Sequence, residues 1–426
     1  MHDASPDTSP NGLSAPEPKY HALALLSGGL DSLLAIKVLQ EQCLRVLGLH
    51  FVSPFFGKPQ LIGHWREVYG IEAINVDIRR SYLDMLVRPA HGYGKHMNPC
   101  VDCKILMLTH AKALLPKYGA SFLVSGEVLG QRPMSQRADT LNLIRKDAGV
   151  KELLLRPLSA QKLGPTPMEE SGLVDRSRLP GFWGRGRKDQ LALAAHFGIT
   201  VIPTPAGGCN LAEAEASARY LPILQNLAEA SSRDFSLSHL GRQYWAGPYW
   251  LSIGRNQHDN LALENARRPT DILLRLRDLP GPMALGRQYE PAAGVKPGAS
   301  PQTWPGDVLA DACAFAASYS PKARAEAEAG RPVVVLVRQG KPASRSDSGA
   351  GSETVMEIAV TPARQTPLCW AEPKPQALAA WKRRFRSDTP NTPDAPDAPE
   401  RPAPQEPAAP VEPASPVEPA APVEQI

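Results

Sequence analysis

Between His21 and about Leu224, short apolar runs alternate with segments of helical periodicity. HALALL leads into DSLLAIKVLQEQ, RVLGLHF into a helical pattern around LIGHWREVYG, and IEAINVDI follows. A long helix expected from Val101 to about Lys117 precedes SFLVSG, a helical stretch ending near Ile144 precedes ELLLRPL, and the helical KDQLALAAHFG leads into a last apolar run, ITVIP. Parallel strands cannot be joined by tight turns, and each crossover helix must cover a face of the sheet. The pattern therefore predicts an α/β domain over residues 19–230 with a doubly wound, mostly parallel sheet.

After Asp234 the rhythm changes. YWLSIG, RPVVVLV and TVMEIAV read as strands among turn-rich segments, with a helix at VLADACAFAASYS, so residues 235–386 are expected to form a second, smaller α+β domain. Residues 1–18 are rich in Pro, Ser and Asp, and 387–426 repeat Pro, Glu and Ala. Neither has the apolar content to fold, and both are expected to be disordered. The 42% hydrophobic content suffices for real cores, whereas a net charge of +4 is too mild to imply nucleic-acid binding by itself; local clusters must carry that case. Six unevenly spaced cysteines do not resemble a disulfide framework. No run approaches the roughly 20 apolar residues of a membrane span, and the first 18 residues are not a signal sequence, so a cytoplasmic, reducing location is expected.

HALALL ends at Ser27, and open α/β sheets bind ligands at the carboxyl ends of their strands. Gly28 and Gly29 allow backbone N–H groups to converge, the helix starting near Asp31 adds its positive end, and Ser27 and Ser32 add hydroxyls. Together they form a nest for phosphate oxygens. Asp31 would repel a bare anion there, unless Mg²⁺ bridges it to the phosphates or it polarises neighbouring groups. GxxxxGK[ST] is absent, which disfavours an ordinary P-loop kinase or ATPase.

The segment NPCVDC follows the same logic of helix ends. Asn98 is expected to cap a helix with Pro99 at its first position, placing Cys100 in the first turn and Cys103 one turn later on the same face. A helix N-terminus favours thiolate and hence nucleophilic, persulfide or metal chemistry. Cys209 follows Gly207 and Gly208, which permit close backbone approach. For the three thiols, structural burial and a zinc site, for which no fourth ligand motif appears, compete with redox-active sulfur, as a persulfide pair or as an iron–sulfur cluster held by three cysteines. Cys43, Cys313 and Cys369 read as structural.

Ser27-Gly28-Gly29-Leu30-Asp31-Ser32 resembles the SGGxDS loop of the PP-loop ATP pyrophosphatases, and Asn98–Cys103 resembles the NPxxxC segment of bacterial tRNA 2-thiouridylases. In many of those the first of the two positions is Asp; here both Cys100 and Cys103 are Cys, as in relatives that hold a cluster with three cysteines. Ser125-Gly126-Glu127-Val128-Leu129-Gly130-Gln131, with Ser135-Gln136, is similar to the TGExxGQxxSQ stretch of ThiI-type tRNA 4-thiouridine synthases. The resemblance implies an ATP-dependent tRNA uridine thiolase. Ser27, Gly28, Gly29, Asp31, Ser32, Gly126, Glu127 and Gln131 would bind ATP and Mg²⁺. Cys103, Cys209 and Cys100 would carry the sulfur, as a persulfide or as ligands of a 4Fe–4S cluster. A tRNA and a sulfur-donor protein such as a cysteine desulfurase would be the partners.

Too few residues precede Tyr20 for the RNA-binding domains found in 4-thiouridine synthases, so RNA is expected to be held elsewhere. Arg185, Arg187 and Lys188, in a flexible basic run, suit phosphate contacts, with Arg132 and Arg156 as weaker candidates. Gly254-Arg255-Asn256 with Asn260, Asp271 and Pro280-Gly281 resembles the RNA-binding domain of NFACT proteins, and implies a role for Arg255; Lys382-Arg383-Arg384 is compatible with it. Two rival functions use fewer of these features. A PP-loop amide-forming ligase gives the cysteines no task, and a non-catalytic tRNA- or ribosome-binding factor needs no Asp31.

Overall fold

The computed structural model describes residues 19–132, 135–203, 209–226, 230–289, 304–340 and 353–386. The terminal segments expected to be disordered lie outside these residues. Five strands form a parallel sheet in the order β3-β2-β1-β4-β5: β1 (Ala22–Leu25), β2 (Val46–Val52), β3 (Ala73–Asp77), β4 (Phe122–Ser125) and β5 (Leu154–Leu155). Leu25 at the end of β1 stands opposite Ser125 at the end of β4 and Leu49 of β2, so β1 and β4 finish at one level while β2 runs three residues further to Val52.

Both faces of this sheet are covered, as the near-continuous apolar strands require. Side chains alternate across the sheet: Leu23, Leu25, Leu47, Leu49 and Leu123 face the core beneath the Cys100–Tyr118 helix. Ala22, Ala24, Leu26, Phe122 and Val124 face that of the Leu30–Gln40 helix. The helix Arg79–Val87 was not anticipated; it places Tyr82, Leu83 and Leu86 in the first of these cores. ITVIP forms no strand. β5 is the edge of the sheet, and Val201, 65% exposed, instead offers its carbonyl to the Tyr69 hydroxyl at 3.2 Å.

A second, antiparallel sheet follows in the order β11-β10-β8-β9-β7-β6, comprising β6 (Arg242–Ala246), β7 (Tyr249–Ile253), β8 (Ile272–Leu276), β9 (Ala284–Gln288), β10 (Val333–Gln339) and β11 (Thr354–Val360). One face packs on the Gly306–Ala317 helix through Leu251, Ile253, Ile272 and Leu274. The other presents Trp245, Trp250, Leu273 and Leu285 to the same core that holds Leu23 and Leu108. The boundary expected near Asp234 thus separates two sheets that share a core. Among the described residues no helix is long and apolar enough to cross a membrane.

Asp234 itself anchors the junction. Arg287 of β9 reaches Asp234 at 2.9 Å and Asp271 at 2.6 Å, Arg268 adds a contact to Asp234 at 3.0 Å, and Arg287, Asp234 and Asp271 are all buried. Burial would raise the Asp234 pKa, but Ser231, Arg268 and Arg287 overcome it and hold the carboxyl below its ordinary range. Asp271, expected at an RNA surface, is therefore spent inside the fold, and Asn260 likewise accepts from the Met283 N–H at 3.1 Å. Removing one member of such a cluster strands buried charge, so Arg287→Leu should cost about 3–5 kcal/mol in urea unfolding. A loss under about 1 kcal/mol, the range of exposed pairs, would show that the network does not hold the junction.

Candidate functional site: a crevice between a glycine loop and three thiols

The loop at the end of β1 is built as a phosphate nest requires. Gly28 adopts φ +78°, and a Cβ there would stand 2.6 Å from Cζ2 of the buried Trp65. Gly29 precedes the Leu30–Gln40 helix, its N–H meets Ser27 Oγ at 3.3 Å, and Ser32 Oγ donates to Gly29 O at 2.7 Å. Beneath it, His50 Nε2 accepts the Lys58 N–H at 2.6 Å, which leaves Nδ1–H to donate to Leu26 O at 2.9 Å. Burial lowers the His50 pKa, so the ring braces the strand end as a neutral group.

β4 delivers the second wall. At Gly126 a Cβ would meet Asp31 O at 2.6 Å and Asp31 C at 2.7 Å, so only glycine lets the end of β4 touch the loop. Gln131 Nε2 donates to Asp31 Oδ2 at 3.1 Å, while Asp31 Oδ1 is buried without a hydrogen-bond partner. Burial raises the Asp31 pKa against the pull of Gln131, Arg187 and Arg132. A lone carboxylate oxygen of this kind fits a Mg²⁺ whose other ligands are phosphates and water. Arg187 is thus drawn toward the loop, while Arg185 and Lys188 stay exposed beside it.

Glu127 takes a different part from the one expected. Its carboxylate is buried, 3.0 Å from Arg156 Nε and 3.5 Å from Lys104 Nζ. Burial favours the neutral acid, but the two cations prevail and hold its pKa at about 2. Glu127 therefore ties the ends of β4 and β5 to the cysteine helix. Arg156, buried in this pair, is not available to RNA phosphates.

The cysteine helix starts at Cys100, one residue later than the capping pattern implies. Asn98 does not cap it; Pro99 takes that position, and its carbonyl accepts the Cys103 N–H at 2.8 Å. Asn98 Oδ1 accepts the His96 N–H at 3.0 Å and its Nδ2 reaches Cys100 Sγ at 3.2 Å, so it shapes the preceding loop and touches the thiol directly. Asp102 turns the other way and holds His91 through its N–H at 3.0 Å and Nδ1 at 2.9 Å. Met97 N donates to Ser217 Oγ, which donates to Leu211 O at 3.1 Å and so links this loop to the segment after Cys209. Lys382, from the helix Pro375–Arg386, donates to the carbonyls of Gly94 and Lys95.

Cys100, Cys103 and Cys209 lie within electrostatic reach of one another and of Tyr82. Burial, then the Cys209 thiol, pushes Cys103 up to about 12, the opposite of the thiolate expected at a helix start, because burial outweighs the helix end; burial, with Cys100 adding to it, raises Cys209 to about 11. Arg132 acts electrostatically on both Cys209 and Asp31. Among the described residues no group of three His, Cys, Asp or Glu is gathered to hold a metal ion. Gly207 and Gly208 lie outside the described residues. Trp65, Tyr82 and Lys104 belong to no motif quoted from the sequence, and Arg132, expected only as a weaker phosphate contact, instead acts on Asp31 and Cys209.

The chain thus sets a glycine loop at the end of the first strand of a parallel sheet and brings Cys100, Cys103 and Cys209 within electrostatic reach of one another. Residues 19–162 match the family model of the thiamine biosynthesis protein ThiI. The chain is 27% identical over 113 residues to a probable tRNA sulfurtransferase of Thermococcus kodakarensis, covering 26% of this chain and 30% of that one. It is 30% identical over 180 residues to a probable tRNA sulfurtransferase of Aeropyrum pernix, covering 39% and 40%. It is 32% identical over 133 residues to the tRNA-specific 2-thiouridylase MnmA of Nitratidesulfovibrio vulgaris, covering 27% and 37%. The chain thus spans 40% or less of the length of each of these relatives. A solved predicted subunit of tRNA methyltransferase from Methanocaldococcus jannaschii aligns with TM-score 0.26 and 16% identity over 33% of this chain and 69% of its own.

Two outcomes check the electrostatics. At pH 8, iodoacetamide should modify the exposed Cys43 and Cys369 well before Cys103, as read by peptide mass spectrometry; equal rates would refute the burial of Cys103. Glu127, held at about 2 against an ordinary 4.5, stabilises the fold above pH 4.5, and that contribution fades as pH falls toward 2. The Tm gap between the native protein and Glu127→Gln should accordingly narrow across that window, and a constant gap would contradict it.

Proposed function

We propose that this protein is a cytoplasmic ATP-dependent tRNA uridine thiolase. The observation that carries the reading is the glycine loop itself, where Gly126 lets β4 touch Asp31 and the buried Asp31 Oδ1 has no hydrogen-bond partner, with Arg132 acting on both Asp31 and Cys209. A uracil carbonyl oxygen is a poor leaving group. Attack of that oxygen on the α-phosphate of ATP expels pyrophosphate and leaves the oxygen adenylated; attack of sulfur on the ring carbon then expels AMP.

The converging N–H groups at Gly28 and Gly29, with Ser27 and Ser32, hold the pyrophosphate as its charge develops. Mg²⁺, on Asp31, would supply further charge neutralisation at the phosphates. Gln131 orients Asp31, and Gly126 keeps β4 close enough for it to do so. Cys103 is assigned the attacking persulfide and Cys209 the resolving thiol, so that the disulfide formed between them is reduced afterwards by an external dithiol. Sulfur is delivered to Cys103 by a donor protein such as a cysteine desulfurase, whose persulfide the Cys103 thiolate attacks, releasing the donor's thiol; burial, which raises the Cys103 pKa, opposes that step until the donor docks. A second reading, in which Cys100, Cys103 and Cys209 hold an iron–sulfur cluster, rests on the three-cysteine pattern alone; iron and labile sulfide in anaerobically purified protein would decide for it.

The deciding measurement is mass spectrometry of tRNA nucleosides from cells lacking the protein. A 2-thio- or 4-thiouridine should disappear and return with the native chain, but not with Cys103→Ala or Asp31→Ala. Unchanged thionucleosides would overturn the reading. Full rescue by Cys103→Ala would point to the ligase instead, and full rescue by Asp31→Ala to the binding factor.

A further inference from the structure

Trp183 is 69% exposed, whereas the six other tryptophans, Trp65, Trp245, Trp250, Trp304, Trp370 and Trp381, are all buried. An indole in water forgoes a large burial gain, so its position calls for a reason. The segment carrying it is firmly held. Trp183 pairs with Leu129 in a parallel bridge, Gly184 N donates to Leu129 O at 2.8 Å, and Phe182 N donates to Leu158 O at 2.8 Å. Ser159 Oγ fastens both sides, accepting from Leu129 N at 2.9 Å and donating to Phe182 O at 2.8 Å.

The indole also lies beside the crevice. A Cβ on Gly130, which adopts φ +77°, would stand 3.3 Å from Trp183 Nε1, and the next residue, Gln131, holds Asp31. On the other side the chain continues through Arg185, Arg187 and Lys188; Arg187 acts on Asp31, while Arg185 and Lys188 are exposed. A rigid aromatic face followed by cations at short spacing is what a single nucleic-acid strand meets on a stacking platform: base on ring, phosphates on the basic groups.

We propose that Trp183 stacks an unpaired base of the RNA substrate beside the ATP loop, with Arg185 and Lys188 on the adjoining phosphates. This rests on the thiolase reading and names how its substrate is held. The occupant is an RNA base rather than the adenine of ATP, because the ring is open to solvent and is followed by two exposed cations, Arg185 and Lys188, that suit the phosphates of a strand.

The test measures binding of a fluorescein-labelled single-stranded oligouridine of about eight nucleotides by anisotropy, against the same strand in a duplex and against Mg²⁺–ATP. Trp183→Ala should weaken the single strand by about five- to a hundredfold, the range of a lost base–aromatic stack, while Trp183→Phe keeps most of the affinity. Since Trp183 is the exposed indole, the single strand should also quench intrinsic fluorescence in the native protein and lose that effect in Trp183→Phe. An unchanged affinity in Trp183→Ala, or equal binding of duplex and single strand, would overturn the platform. Weakening of ATP and not of RNA would assign the ring to adenine and overturn it as well. Because the assay reads binding alone, a platform that passes while tRNA thionucleosides stay unchanged in the deletion strain would refute the reaction and leave the RNA site standing.

Discussion

A buried carboxylate holds this site together. Glu127 follows the glycine that lets β4 touch the nucleotide loop, pairs with Arg156 at the end of β5, and reaches Lys104 one residue beyond Cys103. Two ions removed from water gain little net stability by themselves, but neither can be left alone without a large penalty. The arrangement therefore fixes positions: the loop, the strand ends and the cysteine helix keep their spacing because the charges must meet.

The parts of the site legible in the sequence are those whose work is done by local backbone. A glycine pair between a strand and a helix announces a nest, and CxxC at a helix start places two thiols on one face, even though Pro99 and not Asn98 stands at its end. What could not be read depends on distant pieces of chain meeting. Arg156 looks like a free cation until Glu127 is found 3.0 Å away, and Arg132 gains its meaning only because both Asp31 and Cys209 feel it. ITVIP has the composition of a strand, yet a strand needs an open edge at the right level, and none receives it.

The antiparallel sheet was legible in part. β7, β10 and β11 show as apolar runs, whereas β8 and β9 carry arginines that suggest surface; Arg287 is instead neutralised inside by Asp234 and Asp271. The same burial removes Asp271 from any RNA surface, and Arg255 is clamped by Asp259 at 2.7 Å. Exposed positive charge beside the glycine loop comes from Arg132, Arg185 and Lys188.

Lys382 meets the loop before Cys100 from a position 287 and 288 residues further along the chain. During synthesis, amino-terminal regions fold first. The parallel sheet and its glycine loop are complete once β5 has left the ribosome, but the carbonyls of Gly94 and Lys95 wait for a cation translated after the whole antiparallel sheet. The loop before Cys100 is thus finished last, and a chain stopped short of its final helix would have its glycine loop in place while the carbonyls of Gly94 and Lys95 stood without the cation that pins them.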